Sequence, residues 1–178
     1  EARVTSASSA PRVMNGLRDV DIALRLERPT QGDMLVRKLA DIGYALYAHD
    51  DYVKSHGPVP TSGDLAGHDI IGFSEEDRPF GPIWWLSRAE RAGNVVMRSG
   101  SPMTRAGAVQ TGSGLAALPC FYAQNLPNVQ CLAGPELLGA LELWLLTRSD
   151  LARLGHVRAV MDFLIAEVQG NARLLAGV

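Results

Sequence analysis

The sequence predicts an α/β protein, because short apolar strands alternate with helices along the whole chain. Two segments carry most of this prediction. Residues 101–119 have the pattern of a capped helix, a glycine turn and a short buried strand, and residues 157–168 place apolar side chains at helical spacing. The 178 residues, 47% of them hydrophobic, suffice for one sizeable core or two small lobes.

The first elements predict a β-α-β unit. A strand over residues 1–7, a helix over 11–17 and a strand over 21–26 follow one another with short connections. Such a unit implies parallel pairing of its two strands and a right-handed crossover.

The middle of the chain predicts more strands than helices. Strands are expected at 35–39, 42–48, 69–73, 83–87, 94–98, 129–132 and 141–146, with short helical segments at 51–56, 61–65 and 121–123. In a strand at 83–87, the adjacent Trp84 and Trp85 would point to opposite faces.

The segment 101–119 is the most informative. Ser101 is expected to cap a helix that begins at Pro102, where the missing N–H costs nothing. Gly112 and Gly114 supply the positive φ that ends the helix, and Pro119 ends the strand that follows. Free N–H groups at the start of this helix, beside a hydroxyl, favour binding of a small anion.

The last helix is predicted by one apolar stripe. Its members lie three and four residues apart: Val157, Val160, Met161, Leu164, Ile165 and Val168. Arg158, Asp162 and Glu167 mark the opposite, polar face.

Composition argues against several classes of protein. A formal net charge of −2 argues against nucleic-acid binding by this segment itself. No apolar run approaches the length of a membrane span, and no signal segment opens the chain. With only Cys120 and Cys131, the chain favours two reduced cytosolic thiols over a disulfide framework.

No catalytic set or cofactor site is evident. The Gly112-Ser113-Gly114 segment lacks the spacing of a nucleophile elbow, and helix and strand come in the wrong order. Cys120 has no nearby base in the sequence, and the four histidines lack metal-ligand spacing. We therefore expect neither an enzyme nor a metal or cofactor protein.

Five segments, in this order, resemble the effector-binding domain of LysR-type transcriptional regulators. They are DIALRL at 21–26, YALYA at 44–48, DLAGH at 64–68, GSGLAALP at 112–119 and VRAVMDFL at 157–164. Each of these short segments is common in α/β proteins, so the resemblance rests on their occurring together in this order. The family's winged helix-turn-helix, its linker helix and the first strand–helix unit of the domain are not matched, so we expect this chain to lack them.

The resemblance implies two Rossmann-like lobes with a ligand in the cleft between them, as in periplasmic binding proteins. Lobe one would comprise residues 1–47 and 147–178, and lobe two residues 48–146. Strands at 44–48 and 143–147 would cross between the lobes.

The resemblance also implies partners. They are a small-molecule effector, with carboxylates and other anions as candidates, and a second copy in a homodimer or higher homo-oligomer. DNA would be bound only through the helix-turn-helix outside this chain, in the bacterial cytoplasm and without a membrane.

The candidate ligand-binding residues lie at the ends of predicted strands, where ligands bind in open α/β sheets. They are Thr5, Ser6, Ser8, Arg25, Phe73, Ser101, Pro102, Met103 and Thr104. Each has a structural alternative. Ser8 or Ser9 would cap a helix before Pro11, Arg25 would pair with Glu27 at the surface, and Phe73 would pack in the core.

Two alternatives to an effector-sensing domain stay open. A periplasmic-type solute-binding protein would have the same lobes, and an enzyme on a two-lobe scaffold would need the catalytic set that the sequence lacks.

Overall fold

The computed structural model describes residues 4–7, 20–26, 28, 33–60, 64–74 and 84–178. By its contacts the chain divides into two compact units. Unit 1 is Glu1–Asp41 with Glu142–Arg173, and unit 2 is Ile42–Leu141 with Leu174–Val178. The chain thus passes between the units at 41/42, 141/142 and 173/174.

Unit 1 is built on a mixed sheet. Strand β1 (Val4–Ala7) pairs in parallel with β2 (Ile22–Arg25), and β2 pairs antiparallel with β8 (Ala140–Arg148). The predicted parallel pairing is confirmed, whereas the helix predicted at 11–17, and with it the hand of the crossover, lies outside the described residues.

Helix α6 (Gly155–Gly170) covers this sheet and confirms the predicted apolar stripe. Val157 and Met161 are buried against Ile22, Leu39 and Leu145. Arg158, Asp162 and Glu167 are exposed, as predicted. Helix periodicity alone was enough to orient this element, because its two faces differ so clearly in polarity.

Strand β3 (Met34–His49) is one continuous strand of 16 residues, where the sequence predicted two. Neither glycine nor proline separates Leu39 from Ile42, so nothing stops the strand between the two apolar runs. An ion pair of 2.8 Å between Lys38 and Glu142 joins β3 to the first residues of β8.

Unit 2 has a sheet in which three neighbouring strands are parallel. Strand β4 (Asp69–Gly72) pairs in parallel with β5 (Asn94–Arg98) and with β6 (Leu115–Pro119). β6 pairs antiparallel with β3, as does β7 (Val129–Ala133). The carboxyl ends of β4, β5 and β6 therefore lie at one edge of the sheet.

Helices connect the strands of unit 2. They are α1 (Asp50–His56), α2 (Trp84–Ala92), α3 (Pro102–Gln110), α4 (Cys120–Ala123) and α5 (Pro135–Leu138), and a last helix, α7 (Ala172–Ala176), runs from unit 1 into unit 2. The core of unit 2 packs Ala106 and Val109 of α3 against the buried strand β6.

The strand predicted at 83–87 is wrong. The chain is helical there, so Trp84 and Trp85 do not alternate across a strand. Residues 86–92 are mostly strong helix formers, and they outweigh the short aromatic run. Of the helix predicted at 61–65, Asp64 and Leu65 are described and are not helical, while 61–63 lie outside the described residues.

Most of the remaining elements match their predictions closely, whereas the short helices α5 and α7 were not predicted. Gly112 and Gly114 have φ of 72° and 149°, as the turn after α3 requires. Cys120 and Cys131 are free thiols, the first buried and the second exposed. The lobe boundaries at 47/48 and 146/147 stay a prediction. In both β3 and β8 the chain passes from one compact unit to the other a few residues before these boundaries.

Replacing Leu145 by Ala should lower the free energy of unfolding of unit 1 by about 2–5 kcal/mol, since its side chain is fully buried in that core. Urea denaturation measures the loss. The matched control is Leu35→Ala, at a position 43% exposed in the same unit. Equal losses in the two variants would contradict the packing described here.

Candidate functional site

The carboxyl ends of β4 and β5 lie side by side and bring Phe73 close to the turn that precedes Ser101. Gly72 and Arg98 are register partners in these parallel strands, and the Ser99 N–H donates to the Gly72 carbonyl at 3.0 Å. Phe73 follows one strand and Ser99 the other. The sequence-predicted Phe73 and the turn before Ser101 thus share one edge of the unit 2 sheet.

Helix α3 begins with the predicted cap. The Ser101 Oγ accepts from the Thr104 N–H at 3.3 Å, and Pro102 occupies the first helical position. The Ser101 N–H donates in turn to the Ser99 Oγ at 3.2 Å. These two bonds fix the turn that leads from β5 into α3.

The start of α3 is accessible. Ser101 and Thr104 are exposed, Met103 is 68% exposed, and Pro102 is half-buried. The positive end of the helix dipole is therefore open to a small anion, with an apolar side chain next to it.

A buried arginine lies directly under this turn. Arg105 is 1% exposed, and its Nη1 donates to the Ser99 carbonyl at 2.7 Å. Its Cζ lies 3.8 Å from the centroid of the Phe73 ring, a cation–π contact. Arg105 thus links α3 to the ends of both β4 and β5.

Tyr44 of β3 completes the packing around Phe73. The two ring centroids are 6.4 Å apart and the rings are tilted by 46°. Burial raises the pKa of the Tyr44 hydroxyl, and the charge of Arg105 offsets part of that rise. The positive charge of Arg105 thus lies over the Phe73 ring, which in turn packs on Tyr44.

Sequence reasoning missed Arg105 and Tyr44. Arg105 lies one turn before Val109, on the buried face of α3, where a charged side chain interrupts an otherwise apolar pattern. That interruption was the available signal. Tyr44 gave none, because an aromatic residue is ordinary in a buried strand.

The structure brings together five of the predicted residues: Phe73, Ser101, Pro102, Met103 and Thr104. Thr5 and Ser6 lie on β1 and the half-buried Arg25 ends β2, all in unit 1. Ser8 and Glu27 lie outside the described residues. Contact of any of the nine candidates with a ligand stays a prediction.

Among the described residues, no group of three or more His, Cys, Asp and Glu side chains could hold a metal ion. Within that same part of the chain, none of the helices combines the length and the apolar character needed to span a bilayer.

Ser101→Ala should destabilise unit 2 by about 0.5–2 kcal/mol, because the helix loses its side-chain cap. Thermal or urea unfolding measures the change. Thr104→Ala is the matched control, since that exposed residue supplies only its backbone N–H to the cap. A Ser101→Ala protein as stable as the parent would contradict the role of this hydroxyl as a cap.

Comparison with known proteins supports the family that the sequence resembles. A family model described as the LysR substrate binding domain matches residues 3–169. A probable HTH-type transcriptional regulator of Klebsiella pneumoniae, LtrA, is 28% identical over an alignment of 156 residues, and the match covers 82% of this chain and 50% of that protein. The chain spans about half the length of the curated relatives it matches.

Solved structures show the same fold. The regulatory domain of CrgA, a LysR-type transcriptional regulator from Neisseria meningitidis, superposes with a TM-score of 0.72 at 23% identity, covering 89% of this chain and 81% of that one. The bromide-bound regulatory domain of HypT from Salmonella typhimurium has a TM-score of 0.69 at 13% identity, covering 95% of each chain.

These matches confirm the predicted α/β fold of LysR regulatory domains and the predicted family. Nothing in them supports the alternative of a periplasmic-type solute-binding protein. Because the family model matches nearly the whole chain, from residue 3 to residue 169, the chain belongs to the LysR substrate-binding domain family.

Proposed function

We propose that this chain senses a small-molecule effector and passes the signal to a DNA-binding domain outside it. The observation that supports this proposal most directly is the accessible start of α3, which the buried Arg105 holds in place. Its hydroxyls, its helix dipole and the exposed Met103 form a polar end with an apolar neighbour. A small carboxylate or another anion suits this arrangement best.

The electrostatics favour an anion. A negative group at a helix N-terminus gains about 0.3–2 kcal/mol from the dipole, depending on burial. The Arg105 guanidinium lies in the first turn of the same helix and adds positive potential from beneath. The bromide ion bound to the HypT regulatory domain is consistent with anion binding on this fold.

Residues of unit 1 are the second part of the proposal. Arg25 ends β2, and Thr5 and Ser6 lie on the parallel neighbour β1, so their backbones reach the carboxyl edge of the unit 1 sheet. We infer that this edge contributes to effector binding, with Arg25 offering a positive charge. We propose that Ser8, which follows β1 in the sequence, also contributes to effector binding.

Sensing requires no bond to be made or broken. An effector that binds one arrangement of the two units better than another shifts the population toward it by the difference in affinity. The attached DNA-binding domains respond to that shift in the bacterial cytoplasm. The curated relatives, named as HTH-type transcriptional regulators, support this view.

The test is a thermal-shift screen of small aliphatic and aromatic carboxylates, each paired with its neutral amide. A carboxylate that binds should raise the melting temperature with the logarithm of its concentration once that concentration exceeds Kd, while its amide should not. Titration well below the melting temperature should then show about a tenfold weaker affinity for Ser101→Ala, a loss near 1.4 kcal/mol.

Ser113→Ala is the matched control for this titration. Ser113 is an exposed serine just beyond the other end of α3, and its hydroxyl lies 2.9 Å from the Thr111 hydroxyl. We expect its affinity to match the parent. A destabilised Ser101→Ala protein with undiminished affinity would make Ser101 a structural cap and move the site elsewhere, and equal binding of acids and amides would exclude an anionic effector.

Self-association is expected as well, because effector domains of this family pair side by side and antiparallel. Large apolar side chains are exposed in both units, with Phe163 of α6 at 62% and Val96 of the edge strand β5 at 46%. Light scattering over a range of concentrations should show a dimer or larger species. A monomer at the highest concentration would contradict the proposal.

A further inference from the structure

The last five residues leave the unit in which α6 lies. Helix α6 belongs to unit 1, and Leu174–Val178 belong to unit 2 by their contacts. The other two passages between units lie in β3 and β8, strands held by sheet pairing. The third passage lies within α7, and residues 174–178 that follow it belong to no strand of either sheet.

Two glycines allow the segment to pack closely. The Ala176 carbonyl lies against Gly43 so tightly that a Cβ at Gly43 would overlap it. At Gly177, where φ is 79°, a Cβ would lie 2.7 Å from the Cβ and Sγ of Cys120. Pro135 of α5 borders both contacts. The segment therefore covers the Cys120 thiol, and burial raises the pKa of that thiol.

The docking position lies at the same sheet edge as the start of α3. Tyr44, which follows Gly43, pairs with Pro119 at the carboxyl end of β6, and Cys120 comes next. Tyr44 in turn packs on Phe73, and the Arg105 guanidinium lies over the Phe73 ring. A short chain of contacts thus leads from the terminal segment to the candidate site.

The segment is lightly held. Leu174 is 44% exposed and Val178 is 75% exposed, while the three residues between them are half-buried, so none of the five is fully buried. A helix as short as α7 is not stable without tertiary contacts. Segments with so little buried apolar surface open at a small fraction of the global unfolding free energy.

We propose that residues 174–178 form a detachable strap that docks on Gly43 and Cys120 at the carboxyl edge of the unit 2 sheet. Docked, the strap covers the thiol and holds Gly43. Undocked, it exposes the thiol and releases the end of β3 that bears Tyr44. A response of the strap to what binds at α3 rests on the proposed function, whereas docking and release do not.

The thiol itself provides the measurement. In a Cys131→Ser protein, Cys120 is the only cysteine, because the chain has two. Its alkylation by N-ethylmaleimide under native conditions, followed by mass spectrometry, reports how often the strap is undocked. We expect alkylation about tenfold faster after truncation following Arg173, and a similar increase in Gly43→Ala, whose new Cβ displaces Ala176.

Two controls separate strap release from other effects. Gly107→Ala adds a Cβ into open space on α3 and should alkylate at the parent rate. Leu145→Ala weakens unit 1 and increases exposure only through global unfolding, so it should alkylate more slowly than the truncated chain. Far-UV circular dichroism checks that each variant is folded.

Three results would overturn the proposal. The first is an unchanged Cys120 rate in the truncated chain, and the second is a rate in Leu145→Ala equal to that of the truncated chain. The third is failure of the truncated chain to fold, because the segment would then be part of the core. If Gly43→Ala fails to fold while the truncated chain folds, the Cys120 alkylation rate of the truncated chain is by itself the test of the proposal. None of these measurements uses an effector, so they are independent of the carboxylate screen.

Discussion

The buried guanidinium of Arg105 is the interaction on which the rest of the candidate site depends. A charged side chain at this depth costs several kcal/mol in lost hydration unless the fold compensates it. Here the Ser99 carbonyl accepts one of its N–H groups, and the Phe73 ring faces its positive charge. Both partners sit at strand ends, so the compensation also fixes how α3 leaves the sheet. The arginine thus acts together with the bond from the Ser99 N–H to the Gly72 carbonyl in positioning the cap at Ser101 relative to β4.

Local chemistry made part of this architecture predictable. The cap at Ser101, the positive φ at Gly112 and the apolar stripe of α6 each depend on residues within one or two helical turns. These local preferences predict the structure correctly because the tertiary contacts at the same residues favour the same conformation. The predicted family followed from the order of several such segments.

Other features depend on contacts that no local pattern reveals. Residues around Trp84 and Trp85 were predicted as a strand on their apolar character, and the helix formers behind them prevailed. The burial of Arg105 required knowing that β4 and β5 end side by side. The prediction for Thr5, Ser6 and Arg25 rests on their places in β1 and β2, a local signal that carries no information on contacts with a ligand.

Strand β3 gives the two units a shared folding problem. Leu39 belongs to the core of unit 1 and Ala45 to the core of unit 2, and both occupy odd-numbered positions of one uninterrupted strand. Because side chains alternate with a period of two, a slip of one residue in its pairing would move both Leu39 and Ala45 out of their cores. Neither half can then reach its native register while the other is misaligned. The strand's partners are also far away along the chain, which slows folding. A register error in β3 should therefore disturb the cores of both units together.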